Sequence, residues 1–163
     1  DLKKNYPNQE NLIFENVAIS VNDEIQELFK VKNSKLHLYD EHVVGITSFD
    51  HNHLIKHGID KKHIEKEKVN SISIINLLKK NSINNFDLLF IDTEGYDSYI
   101  VFDFLNNSKI RPVIFFEYIH TENQILNKTF ELLKNKKYIL FKVEENILCL
   151  PEENKEKIKI FNL

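Results

Sequence analysis

The chain is 163 residues long, enough for one domain with a real hydrophobic core, and its 22 basic and 25 acidic residues leave a net charge of −3. That balance argues against a global basic field for nucleic acid, and Arg111, the one arginine, argues against a phosphate surface built on bidentate forks, although lysines still offer point charges. Cys149 is alone, so an intrachain disulfide is excluded, and with no signal peptide and no apolar run near the roughly 20 residues that span a bilayer, a soluble, cytoplasmic protein is expected.

There is no methionine, and Asp1-Leu2-Lys3-Lys4-Asn5 reads like the end of a helix, so the start of a longer protein is expected to be missing. Residues 2–6 suit a last helical turn stopped near Pro7. Residues 12–19 (LIFENVAI) read as a strand, with Asn16 and Val17 close to its end, and residues 24–32 as a second strand. Residues 33–45 are expected to be loop. Residues 50–57 suit a short helix with Ser48 as a candidate N-cap and Gly58 as the C-terminal cap. Residues 61–68 are charge-rich, as a solvated face is. Residues 71–80 form a clearer helix, capped by Ser71 or Ser73, with Ile74, Ile75, Leu77 and Leu78 as its buried stripe.

The most informative stretch is 86–96, FDLLFIDTEGY, with its echo at 113–118, VIFFEY. The unbroken apolar run Leu88, Leu89, Phe90 and Ile91 predicts a strand buried on both faces, hence a parallel sheet covered by helices. Residues 97–105 between the two strands suit a helix packed on the sheet, completing a right-handed crossover. Ligands of such sheets sit beyond the carboxyl ends of the strands, where Asp92, Glu94 and Glu117 fall. Residues 123–136 carry Ile125, Leu126, Phe130 and Leu133 at helical spacing, and 138–143 with 147–150 flank Glu144-Glu145-Asn146 as an antiparallel hairpin. Pro151 stops the last strand, and 152–159 is a charged tail.

The run IDTEGYD at 91–97, the FDLLF before it, RPVIFFEY at 111–118, NVAIS at 16–20 and GITSFD at 45–50 together resemble the FkbM-type methyltransferase family over most of residues 1–150. The resemblance implies an α/β, partial Rossmann-like class I fold, mostly parallel with a C-terminal antiparallel hairpin. The chain would be a single domain over 1–163, the C-terminal portion of a methyltransferase domain. It also implies S-adenosylmethionine as cofactor and methylation of a hydroxyl on a sugar, glycolipid or other small-molecule acceptor. Carried over, Asp92 lies beside the transferred methyl, Glu94 and Gly95 shape the same loop, and Asn16, Val17 and Ala18 lie near the end of the third strand on the adenine side.

The family's glycine-rich loop and the acid that ends its second strand are absent: Gly45, Gly58 and Gly95 make no GxGxxG. The chain alone is therefore expected to bind the cofactor poorly or not at all, and the strand over 86–92 to keep an open apolar edge that invites self-association. An inactive Rossmann-like remnant serving as an interaction module is the alternative reading. Methyl transfer needs a positioned acceptor and a proton acceptor, which Asp92 can be directly, or His120 with Glu117 orienting it. The plainer reading of Asp92 and Glu94 is capping of the following helix; of Glu117, a strand-end acid near a helix terminus. His53 and His57, at i and i+4, share a helix face and with Asp50 have metal-ligand chemistry, and Asp92, Glu94 and Glu117 have the oxygens for a divalent cation. The preferred reading of His51, His53, His57 and His63 is exposed polar residues beside the active-site loop, with no metal expected. Cys149 is expected to be a small buried hydrophobe.

Overall fold

The structure is a computed structural model that describes residues 2–6 and 11–157. The short helix α1 (Leu2–Asn5) agrees with the predicted last turn; Pro7, its expected stop, lies outside the described residues. Two sheets follow, one of three strands and one of four.

The three-stranded sheet has the order β1-β3-β2, built from β1 (Ala18–Ser20), β2 (Ile25–Val31) and β3 (Ile64–Ser73). Strand β1 is shorter than the predicted 12–19, so Asn16 and Val17 lead into the strand instead of ending it. Leu12 and Ile13, 43% and 62% exposed, have no ladder partner among the described residues, and without one an apolar run does not become a strand. Strand β3 runs parallel to β1 and antiparallel to β2. It includes much of the charge-rich stretch, whose Lys66 pairs with Glu27 at 2.6 Å and whose Glu67 pairs with Lys30 across the ladder. Between β2 and β3, the predicted loop carries a 3-10 helix (Asn33–Leu38) and α2 (Glu41–Val44). Next comes α3 (His51–Lys56), capped by Asp50, whose carboxylate accepts from Asn52 N–H at 2.9 Å. Ser48, the expected cap, instead accepts the Asp50 N–H and bridges by its backbone to Phe29. Gly58 follows with φ +82°, as a left-handed helix exit requires. A small core of Val31, Ile46, Leu54, Ile59 and Ile64 fills this lobe.

Helix α4 (Ile74–Lys80) begins where Ser73 caps Asn76 N–H; Ser71 stays in β3, buried. The four-stranded sheet has the order β4-β5-β7-β6, from β4 (Leu88–Ile91), β5 (Val113–Glu117), β6 (Tyr138–Val143) and β7 (Asn146–Pro151). Helix α5 (Asp97–Asn107) links β4 to the parallel β5, and α6 (Asn123–Asn135) links β5 to the hairpin. The hairpin is as predicted, with Glu144 at φ +52° in the turn and Pro151 the last paired residue, opposite Tyr138. The tail is a 3-10 helix over Glu152–Lys157, and residues 158–159 lie outside the described residues. Leu89, Ile91, Ile114, Phe116, Ile147 and Cys149 share the main core with Ile74, Ile100, Val101, Phe104, Leu126 and Leu133 of the three helices. Each aliphatic or phenyl side chain among them contributes about 1.5–3 kcal/mol by leaving water.

Two expectations fail here. The sheets are mixed and not mostly parallel: β1 with β3 and β4 with β5 are parallel, whereas β2 with β3, β5 with β7 and β6 with β7 are antiparallel. Nor is β4 buried on both faces. Leu89 and Ile91 are 8% and 6% exposed, but Leu88 and Phe90 are 57% and 63% exposed, because the helices α4, α5 and α6 pack against one face only. On the other face Phe90, Phe115, Leu148 and Phe141 stand in register across all four strands, with the rings of Phe90 and Phe115 stacked at 5.2 Å. Strand β4 pairs only with β5 among the described residues, so its outer edge is open, as expected. No described helix is long and apolar enough to cross a membrane.

Candidate active site

The loop from Asp92 to Tyr96 turns β4 into α5. Glu94 sits at φ +52° and Gly95 at φ +99°, the left-handed region that disfavours a side chain. Gly95 is doubly required, since a Cβ there would stand 2.8 Å from the His120 carbonyl oxygen. The loop therefore presses directly onto the segment that follows β5. Asp97 braces it from below. Wholly buried, its Oδ2 accepts from Thr93 Oγ1 at 2.9 Å and from the Thr93 and Gly95 N–H groups at 3.3 Å. Burial pushes its carboxyl up, opposed by those hydrogen bonds. The plain capping roles considered for Asp92 and Glu94 are not taken: the residue before α5 is Tyr96, with no side-chain cap.

A crevice of about 680 Å³ opens between the two sheets, within the range of small-molecule sites. Asn16, Val17 and Ala18 line it on one side; Asp92, Thr93, Glu94 and Tyr96 line it on the other. Five of the seven predicted site residues are thus brought together. Phe49 and Tyr96 meet edge-on at 5.4 Å within this lining. The carboxylates of Asp92 and Glu94 and these two rings suit a ligand carrying positive charge, such as a sulfonium; Glu67 is already held by Lys30, and Lys68 stands on the same lining. The donor set thus suits the charge of a sulfonium such as that of S-adenosylmethionine.

Glu117 and His120 do not line the crevice; they stand behind Glu94. His120 Nε2 lies 3.9 Å from Glu117 Oε1, an electrostatic contact beyond hydrogen-bond range. Burial first, and then the charges of Asp97, Glu94, Asp92 and Glu145, push the Glu117 carboxyl up to about 7. Its Oε2 is buried and has no hydrogen-bond partner among the described residues. Around His120 are His53 and His57, with ring centroids 5.0 and 4.8 Å away and 4.5 Å from each other. His53 Nε2 is 3.4 Å from Glu94 Oε2. Burial, then the neighbouring His57, holds the His53 imidazole below its ordinary value, while Glu94 opposes. None of the four histidines is exposed as expected: His51, His57 and His63 are half-buried, and His53, 6% exposed, is turned inward by α3 onto the β4–α5 loop. Asp97 was not singled out by sequence because an acid in a first helical turn is ordinary. The i, i+4 spacing of His53 and His57 was visible, but not the third histidine that completes the group.

No curated protein and no solved structure matches the chain. The family model described as the methyltransferase FkbM domain matches residues 2–140, taking in the β1 approach, the crevice, the Asp92–Tyr96 loop and the histidine cluster. A match over most of the length, on a fold with the parallel β4-α5-β5 crossover and both walls of the crevice, means that this chain belongs to the FkbM methyltransferase family.

Proposed function

We propose that the protein carrying this chain is an S-adenosylmethionine-dependent O-methyltransferase acting on a hydroxyl of a sugar, glycolipid or other small molecule. The observation that carries the reading is the meeting of Asn16, Val17 and Ala18 with Asp92 and Glu94 across one crevice. S-adenosylmethionine, when bound, supplies an electrophilic methyl group on a sulfonium. The chain's own part is to hold an acceptor hydroxyl in line and take its proton. Asp92, exposed at the carboxyl end of β4 and in the crevice lining, is the better proton acceptor. Glu117 and His120 stand behind the loop, with the His120 backbone packed against Gly95. Family membership supports the transferase chemistry. Cys149 is buried with its thiol pushed up to about 12 by burial, which leaves it without a part in the chemistry.

The test is transfer of labelled methyl from S-adenosylmethionine to a panel of hydroxyl acceptors. Asp92→Asn keeps the side-chain shape and is expected to lower the rate by about 10²–10⁴-fold. Full activity in that variant would overturn the role of Asp92.

A second reading rests on the open β4 edge, with Leu88 and Phe90 exposed beside it. In it the chain is a non-catalytic module whose edge is completed by β4 of a second copy, a twofold pairing that closes both edges at once. Concentration-dependent dimerisation without cofactor binding favours this reading over the first.

A further inference from the structure

We infer that His53, His57 and His120, together with the Glu94 carboxylate, form a binding site for a first-row divalent metal ion, with zinc the best match to the ligand chemistry. One ligand atom from each of the three imidazoles lies within 4.8 Å of the others. A second triad, Glu94, Glu117 and His120, meets the same limit and shares His120 with the first. Imidazole nitrogens with a carboxylate oxygen are the ordinary ligand set of zinc, at metal–ligand distances of about 2.0–2.2 Å. A tetrahedral ion of that size needs ligand atoms about 3.3 Å apart, so each pair must close by at most about 1.5 Å from the 4.8 Å limit. His57 and His120 are only half-buried.

Three further observations point to a built site. The ligands come from separate parts of the chain: His53 and His57 from α3 and its end, Glu94 from the β4–α5 loop and His120 from the segment after β5. Glu94 adopts a left-handed backbone, φ +52°, at the position from which its carboxylate reaches His53 Nε2. The Oε2 atom of Glu117, buried beside the cluster, has no partner in the described protein, and a bound cation would compensate it. An ordinary packing role explains one buried histidine; it does not explain three imidazoles converging with two carboxylates. The site shares Glu94 with the crevice but requires nothing of the methyl-transfer reading.

The experiment titrates chelator-stripped protein with Zn²⁺, and separately with Co²⁺ as a spectroscopic probe. One equivalent per chain is expected, with visible ligand-field bands from cobalt. His57→Gln and His120→Gln, both at half-buried positions, should each weaken binding by about tenfold or more. His37→Gln, at an exposed histidine on the Asn33–Leu38 3-10 helix, should leave it unchanged. Metal-free thermal melts of each variant separate loss of ligands from loss of fold. Absence of stoichiometric uptake would overturn the proposal, as would uptake by both folded variants equal to that of the His37→Gln protein.

Discussion

The two sheets differ in how they are held, and the difference explains where the site is. The four-stranded sheet buries one face under α4, α5 and α6 in a large continuous core that includes Phe104, Phe116 and Leu133, each wholly buried. The three-stranded lobe holds its long β2–β3 ladder over a core of five buried side chains, with exposed charges paired across the strands. The first region is a scaffold; the second is a wall. Asp92, Glu94 and Glu117 stand on the scaffold, while Asn16 to Ala18, His53 and His57 are brought to them by the wall. Crevice and histidine cluster both form where the two regions meet.

Substitutions in the two cores sharpen this contrast. Phe116→Ala, in the scaffold, should cost about 3–5 kcal/mol and lower the melting midpoint of the whole chain. Leu54→Ala, in the wall, removes a side chain that is also wholly buried and should cost about 2–5 kcal/mol. Hydrogen exchange should then show faster opening of β2 and β3 while the β5 amides stay protected. Equal loss of protection in both regions would break the distinction between scaffold and wall. Gly95→Ala acts at the junction. A methyl 2.8 Å from the His120 carbonyl, on a residue at φ +99°, should cost about 1–3 kcal/mol and displace the His120 segment, read as a lower melting midpoint.

The smallest effect is expected at the scaffold's far end, where Arg111 holds Glu153 through contacts of 2.6 and 2.9 Å. The Arg111 guanidinium lowers the Glu153 carboxyl from 4.5 to about 2. A carboxylate held lower in the folded state contributes stability above its unfolded value and loses it as pH falls, here between 4.5 and about 2. Both side chains are solvent-accessible, so Glu153→Gln should cost only about 0.5 kcal/mol at pH 7. Its difference from the parent protein should vanish in melts near pH 2.

The scaffold was legible in the sequence because its burial follows simple periods. Val113 to Glu117, the apolar stripe of α6 and the hairpin around Glu144 all fall where their patterns put them. The wall was less so. Strand β3 hides behind Glu65 to Lys68, whose charges are exposed or pair with β2, and its buried face includes the polar Ser71 and Ser73. Leu88 and Phe90 misled in the opposite sense: they are apolar, yet no described helix covers them. Of the site, Asp92 and Glu94 were readable because strand-end acids mark the functional rim of such sheets. The joining of His120 to His53 and His57 was not, since it depends on contacts between residues more than 60 positions apart.

The most direct test of the account is calorimetric titration of S-adenosylmethionine into the protein carrying this chain, alongside Asp92→Asn. The account predicts a single saturable site, weakened when Asp92 loses its charge, as the proposed placement of that carboxylate beside the sulfonium requires. Absence of binding, or binding indifferent to Asp92, would contradict the placement of the cofactor in this crevice.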